Sequence, residues 1–121
     1  MRQQVVYLEV LQNRVLITDC ESEQHFEVLG DFSNQRLAIA HFAACEAKLS
    51  QAIGQIKRKS ILHAFTFVMH QQVQNEGGLC EIEERILMEL GLGLGARKVI
   101  VWQGQPLSLE ALKQRKFETK G

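Results

Sequence analysis

The sequence predicts a single α/β domain over residues 1–121, built on one mixed five-stranded sheet of order 3-2-1-4-5 with helices on both faces. Three observations predict it. Short β-patterned segments separated by turn residues come first, as a meander. Helical stripes and strands then alternate, as in βα crossovers. The fourth β segment is apolar on both faces, which suits a strand inside a parallel pair.

Val5–Leu11 is the first predicted strand. Val6, Leu8 and Val10 alternate with Val5, Tyr7, Glu9 and Leu11, so both faces are largely apolar and the strand is central. Gln12-Asn13 makes a tight turn, since Asn tolerates the left-handed backbone a hairpin needs. Arg14–Cys20 is the second strand, led by Val15, Leu16 and Ile17, and Glu21–Gln24 is a polar loop. His25–Leu29 alternates polar and apolar, as an edge strand with one wet face does.

Gly30–Asn34 breaks the pattern, and Ser33 or Asn34 is placed to cap a long helix over Asn34–Ile56. Ile39, Phe42, Cys45, Leu49, Ala52, Ile53 and Ile56 form its apolar stripe, with His41, Lys48 and Gln55 opposite. Lys57-Arg58-Lys59 follows as a solvated helix C-terminus, with a phosphate-binding patch as the alternative. Ile61–His70 is the buried fourth strand, and Gln71–Gly78 a polar loop. Leu79–Leu90 is a helix striped by Leu79, Ile82, Ile86 and Leu90, with glutamates near its positive N-terminus. Lys98–Trp102 is the fifth strand and Leu107–Phe117 the last helix. This order, βββαβαβα, is the topology of the ribonuclease-H/actin-like fold.

The composition narrows function further. Fourteen Lys and Arg balance fourteen Asp and Glu, which argues against a general nucleic-acid surface. No apolar run nears the roughly 20 residues that span a bilayer. The N-terminus lacks a signal peptide's apolar core and cleavage site, so a cytoplasmic location is expected. Cys20, Cys45 and Cys80 are widely spaced without a CxxC pair, which fits reduced thiols.

No motif specifies chemistry. Gly91-x-Gly93-x-Gly95 runs from helix into strand, whereas phosphate loops run from strand into helix; these glycines read as helix C-caps. The histidines at 25, 41, 63 and 70 have no ligand spacing and read as structural, and no metal site is expected. A ribonuclease-H nuclease needs several carboxylates around two metal ions. Glu9 and Glu46 are the candidates, but the fourth strand ends in Val68-Met69-His70 and offers no acid. Lys113, Arg115, Lys116 and Lys120 make the C-terminal segment basic, as a solvated end or a contact surface.

Several segments together resemble the nucleotide-binding half of bacterial actin-like rod-shape-determining proteins of the MreB family. Leu8–Ile17 is similar to that family's first hairpin. Gly30-Asp31-Phe32 with His41-Phe42 resembles its Ala-Asp-Phe segment and following helix. Glu83-Glu84-Arg85 lies where the family has Val-Glu-Arg-Arg, and Gly95-Ala96-Arg97-Lys98-Val99 resembles Gly-Ala-Arg-x-Val. Gln103–Pro106 stands at the family's proline turn, with Gln103 and Gln105 in place of paired glutamates. The family's Gly-Thr, which admits nucleotide phosphates, is replaced by Leu11-Gln12. The small subdomain inserted after the third strand and the second half with its phosphate loop have no counterpart in these residues.

The resemblance therefore implies an isolated, degenerate actin-like subdomain. The expected function is a non-catalytic protein-interaction module in a cytoskeletal, cell-shape or envelope assembly of a bacterium. No catalytic residue, cofactor, nucleotide, nucleic acid or membrane span is expected; the partner is another protein or a second copy. A metal-dependent nuclease on Glu9 and Glu46 is the alternative. The expected contact surface is the fifth-strand edge with the adjoining helix, at Ile100, Trp102 and Phe117.

Overall fold

The structure, a computed structural model, describes residues 2–56 and 63–117. The sequence readings at Lys57-Arg58-Lys59, Ile61, Leu62, Lys120 and the side chain of His63 lie outside what it describes. The elements are β1 (Arg2–Leu11), β2 (Arg14–Asp19), β3 (His25–Leu29), α1 (Phe42–Ile53), β4 (His63–Gln71), α2 (Glu81–Gly93), β5 (Lys98–Val101) and α3 (Leu109–Lys113). They form an α/β domain around one five-stranded sheet of order β3-β2-β1-β4-β5. The β1–β2 and β2–β3 pairs are antiparallel, and the β1–β4 and β4–β5 pairs are parallel. Only β2 runs against the rest, as the meander and crossovers predict.

Alternation along β1 sorts the core into two layers. Val6, Leu8 and Val10 point to the first face. There they meet Val15, Ile17, Phe67 and Met69 of the sheet, Cys45, Leu49 and Ile53 of α1, and Leu87 and Leu90 of α2. Val5 and Tyr7 point to the second face, with Cys20 and Val68, and are covered by Leu112 and Phe117. Ile100, Trp102, Leu107 and Leu109 pack half-buried around that smaller cluster. Two helices thus cover one face and the single short α3 covers part of the other.

Several local readings need correction; among them, the last helix spans Leu109–Lys113 rather than Leu107–Phe117. The helix after β3 begins at Phe42, and residues 34–41 are a loop. The Asn34 side-chain oxygen accepts from the backbone N–H groups of Arg36 and Leu37 at 2.8 and 2.7 Å. Ser33 accepts from Asn13 N–H and donates to the Ala38 carbonyl. These short polar side chains satisfy a loop in competition with helix, so neither caps α1. Ile39 still reaches the core, from the loop. On α2 the buried stripe is Leu87, Leu90 and Gly91, while Ile82 is exposed.

The glycine triplet divides by role. Gly95, at φ +102°, follows the C-cap Leu94; Ala96 N–H bonds the Gly91 carbonyl and Gly95 N–H the Leu92 carbonyl, closing a Schellman turn. Gly91 is inside α2, where an added Cβ would lie 2.6 Å from Val99 Cγ2. That glycine lets the helix sit close on β5.

Candidate functional site

The residues singled out at the fifth-strand edge are not equally placed. β5 is an edge strand, and among the described residues nothing pairs with its outer side. Lys98, Ile100 and Trp102 share the second face, while Val99 and Val101 point to the first. Ile100, Val101 and Trp102 are each half-buried, leaving a partly wet apolar strip along the edge. The Trp102 indole N–H donates to the Gln105 carbonyl at 2.9 Å, and its ring lies against Gly104, where a Cβ would come within 2.7 Å. The turn after β5 thereby holds Trp102 in a fixed pose.

Phe117 is different. It is 1% exposed, packed with Leu112, Tyr7 and Val68 on the second face, with the Arg115 guanidinium 5.3 Å from its ring centroid. A partner cannot touch its side chain in this state. The expectation of a Phe117 contact is therefore corrected: its aromatic bulk anchors the C-terminal segment to the sheet. Lys113 pairs with Glu23 at 2.6 Å, which ties α3 to the β2–β3 turn.

Beside this anchor is a polar network that sequence reasoning missed. Tyr7 and His70 occupy the second face of β1 and β4, with the Tyr7 hydroxyl 2.6 Å from His70 Nδ1. Leu107 N–H donates to that hydroxyl at 3.2 Å, which leaves the phenol proton to point at Nδ1. The remaining imidazole N–H then serves the Gly104 backbone carbonyl. Gln72 bridges the site, donating to Glu9 at 2.8 Å and lying 3.1 Å from His70 Nδ1. Burial pushes the His70 pKa below its ordinary 6.5, against the pull of the Gly104 bond and Glu9. Burial likewise raises the Tyr7 phenol above 10.0. Both groups are neutral near pH 7, and together they staple the 104–107 loop to the sheet. The available signal was Tyr7 and His70 among apolar strand neighbours, which by itself says nothing about partners.

The network borders a groove of about 510 Å³ on the part of the second face that α3 leaves open. Tyr7, Glu9, Leu16 and Thr18 line it from the sheet, His25 and Glu27 from β3, and Leu107 and Leu109 from the C-terminal segment.

The two carboxylates of the nuclease alternative do not converge. Glu9 follows Val5 and Tyr7 onto the second face, whereas Glu46 lies on α1 over the first, beside Gly93. The sheet stands between them. Among the described residues no group of three or more His, Cys, Asp or Glu could hold a metal ion. No helix there is long and apolar enough to cross a membrane.

The first hairpin is also closed off. Asn13, at φ +54°, accepts from the N–H groups of Phe32 and Ser33 at 3.0 and 2.7 Å, and its own N–H donates to Ser33 Oγ at 2.8 Å. These bonds tie the turn to the loop after β3 and satisfy the N–H groups of Asn13, Phe32 and Ser33 within the chain.

Comparison with curated proteins finds the uncharacterized protein YjaA of Escherichia coli (strain K12), 39% identical over 97 residues, covering 74% of this chain and 75% of that protein. The chain belongs to the YjaA family. No family model and no solved structure matches it. In this YjaA-family chain, then, the Tyr7–His70 network and the β5 edge rest on geometry alone.

Proposed function

We propose that this chain is a non-catalytic protein-contact module that works through the outer edge of β5, on a scaffold of the ribonuclease-H/actin-like kind. The observation that carries the reading is the β5 edge, unpaired among the described residues, with its half-buried strip Ile100, Val101 and Trp102. An open edge offers backbone N–H and C=O groups to an incoming strand, and flanking apolar side chains give that strand something to bury. The sheet order, with β2 alone antiparallel, supports the scaffold assignment. A degenerate relative of bacterial actin-like proteins acting in a cell-shape or envelope assembly fits this scaffold and the closed first hairpin. A location in the cytoplasm belongs to the same proposal.

The test is capture of partners from native bacterial lysate with three baits: wild type, Ile100→Lys at the β5 edge, and Leu29→Lys at the opposite β3 edge. Circular dichroism confirms that each bait is folded. Proteins retained by wild type and Leu29→Lys but lost by Ile100→Lys support the edge. If Ile100→Lys keeps every partner, the β5-edge reading is overturned.

A further inference from the structure

The outer face of α2 is unexplained by the fold. Ile82 is 67% and Leu92 51% exposed, although both are large and apolar. Isolated exposed apolar residues are ordinary. These two, however, lie on one line with Arg85 and Glu89, also exposed. At 100° per residue, positions 82, 85, 89 and 92 fall within roughly 80° of one another on the helix surface. Met88, also exposed, flanks them.

The order along this stripe is self-complementary. Ile82 and Leu92 are equidistant from position 87, and so are Arg85 and Glu89. If two copies of α2 pack antiparallel about a two-fold axis at that level, Ile82 of each copy meets Leu92 of the other. Arg85 of each copy then meets Glu89 of the other. A two-fold contact demands this reciprocity of a single surface. Among the described residues neither Arg85 nor Glu89 forms an ion pair within the chain.

We infer that the outer face of α2 is a homodimer contact, its occupant a second copy of this chain in antiparallel α2–α2 packing. The contact stands apart from the β5-edge reading, because α2 covers the first face and takes no part in that edge's pairing. One helix of 13 residues offers less than the roughly 800 Å² per partner of a standard stable interface. The dimer is therefore weak, with Kd between about 10 μM and 1 mM.

Sedimentation equilibrium on the full chain tests it across that concentration range. Wild type should show a reversible monomer–dimer equilibrium. Arg85→Glu places like charges across the two-fold, as does Glu89→Arg, and each should weaken dimerisation at least about tenfold. An equimolar mixture of these two variants restores opposite charges at both contacts and should form a heterodimer tighter than either homodimer. The double swap Arg85→Glu/Glu89→Arg should dimerise like wild type. Ile100→Lys should leave the equilibrium unchanged, which separates this contact from the β5 edge. A wild-type chain that stays monomeric to about 1 mM overturns the proposal, as does a dimer indifferent to the charge reversals or a mixture that fails to associate.

Discussion

The Tyr7 hydroxyl and His70 Nδ1, 2.6 Å apart, join the two central parallel strands to the segment that covers the second face of the sheet. The bond also orients the hydroxyl to accept from Leu107 N–H. Tyr7→Phe keeps the ring but leaves Leu107 N–H and His70 Nδ1 without this partner. The expected loss is about 1–3 kcal/mol in urea denaturation, with the slope unchanged. A loss below about 0.5 kcal/mol would mean that water replaces the hydroxyl at no cost.

The same histidine sets a pH dependence. Its folded pKa is lowered from 6.5, so between the two values the unfolded chain binds more protons than the folded one. Stability is therefore complete above the unfolded value and falls as pH drops through that value toward the folded pKa. The melting temperature should decrease between about pH 7.5 and about pH 5.5, above the range in which carboxylates titrate. His70→Gln should flatten that slope while lowering stability at pH 7.5. An unchanged slope in the variant would assign the dependence to another group.

Gly91 and Val99 make the close approach of α2 to β5 testable. A Cβ at Gly91 would sit 2.6 Å from Val99 Cγ2, a distance that forces a shift of helix or strand. Gly91→Ala should cost about 1–3 kcal/mol despite alanine's better helix propensity. Val99→Ala removes the obstructing methyls, so the double variant should be more stable than the sum of the single losses predicts. Strict additivity would show that the helix adjusts without touching Val99.

Much of the architecture was legible because strand alternation and turn chemistry agree with the tertiary structure. Val6, Leu8 and Val10 against Val5 and Tyr7 already mark a strand with two covered faces. The start of α1 was not legible: Ile39 and Phe42 fit a helical stripe, but Asn34 and Ser33 hold the chain in a loop through hydrogen bonds that spacing does not reveal. Ile82 misled in the same way, since a residue can fit an apolar period and still face outward when the helix is rotated by its packing at Leu87 and Leu90. At the proposed contact surface, the edge position of Ile100 followed from strand order. The burial of Phe117 depends on how the chain folds back after α3, which no local pattern encodes.

Thiol reactivity should separate the three cysteines. Cys20 and Cys45 are buried, and loss of hydration pushes each thiol up to about 12. Cys80 is exposed, ahead of α2. The thiolate is the reactive form, so a folded chain treated with a chromogenic disulfide should titrate one thiol quickly. The other two should react only on the timescale of unfolding, and all three at once in denaturant. Cys80→Ser should abolish the fast phase; a persistent fast phase would mean that Cys20 or Cys45 opens readily to solvent.

Nucleotide binding is expected to be absent, for two physical reasons. A phosphate loop works by presenting unpaired backbone N–H groups at a turn where no side chain intrudes. At the first hairpin, Asn13 and Ser33 of the loop after β3 satisfy one another's backbone donors, with contacts of 2.7 and 2.8 Å. Leu11, beside the turn, adds a side chain where the proposed likeness to actin-like proteins would place phosphate. Calorimetric titration of ATP with magnesium should therefore show no saturable heat up to about millimolar, near −4 kcal/mol. Thermal melts in the same mixture offer an independent reading, because a ligand at about a hundred times its Kd adds roughly 2.7 kcal/mol to stability. Micromolar binding, or a clear rise in melting temperature with ATP, would show that the hairpin rearranges to admit phosphate and would return nucleotide-dependent function to consideration.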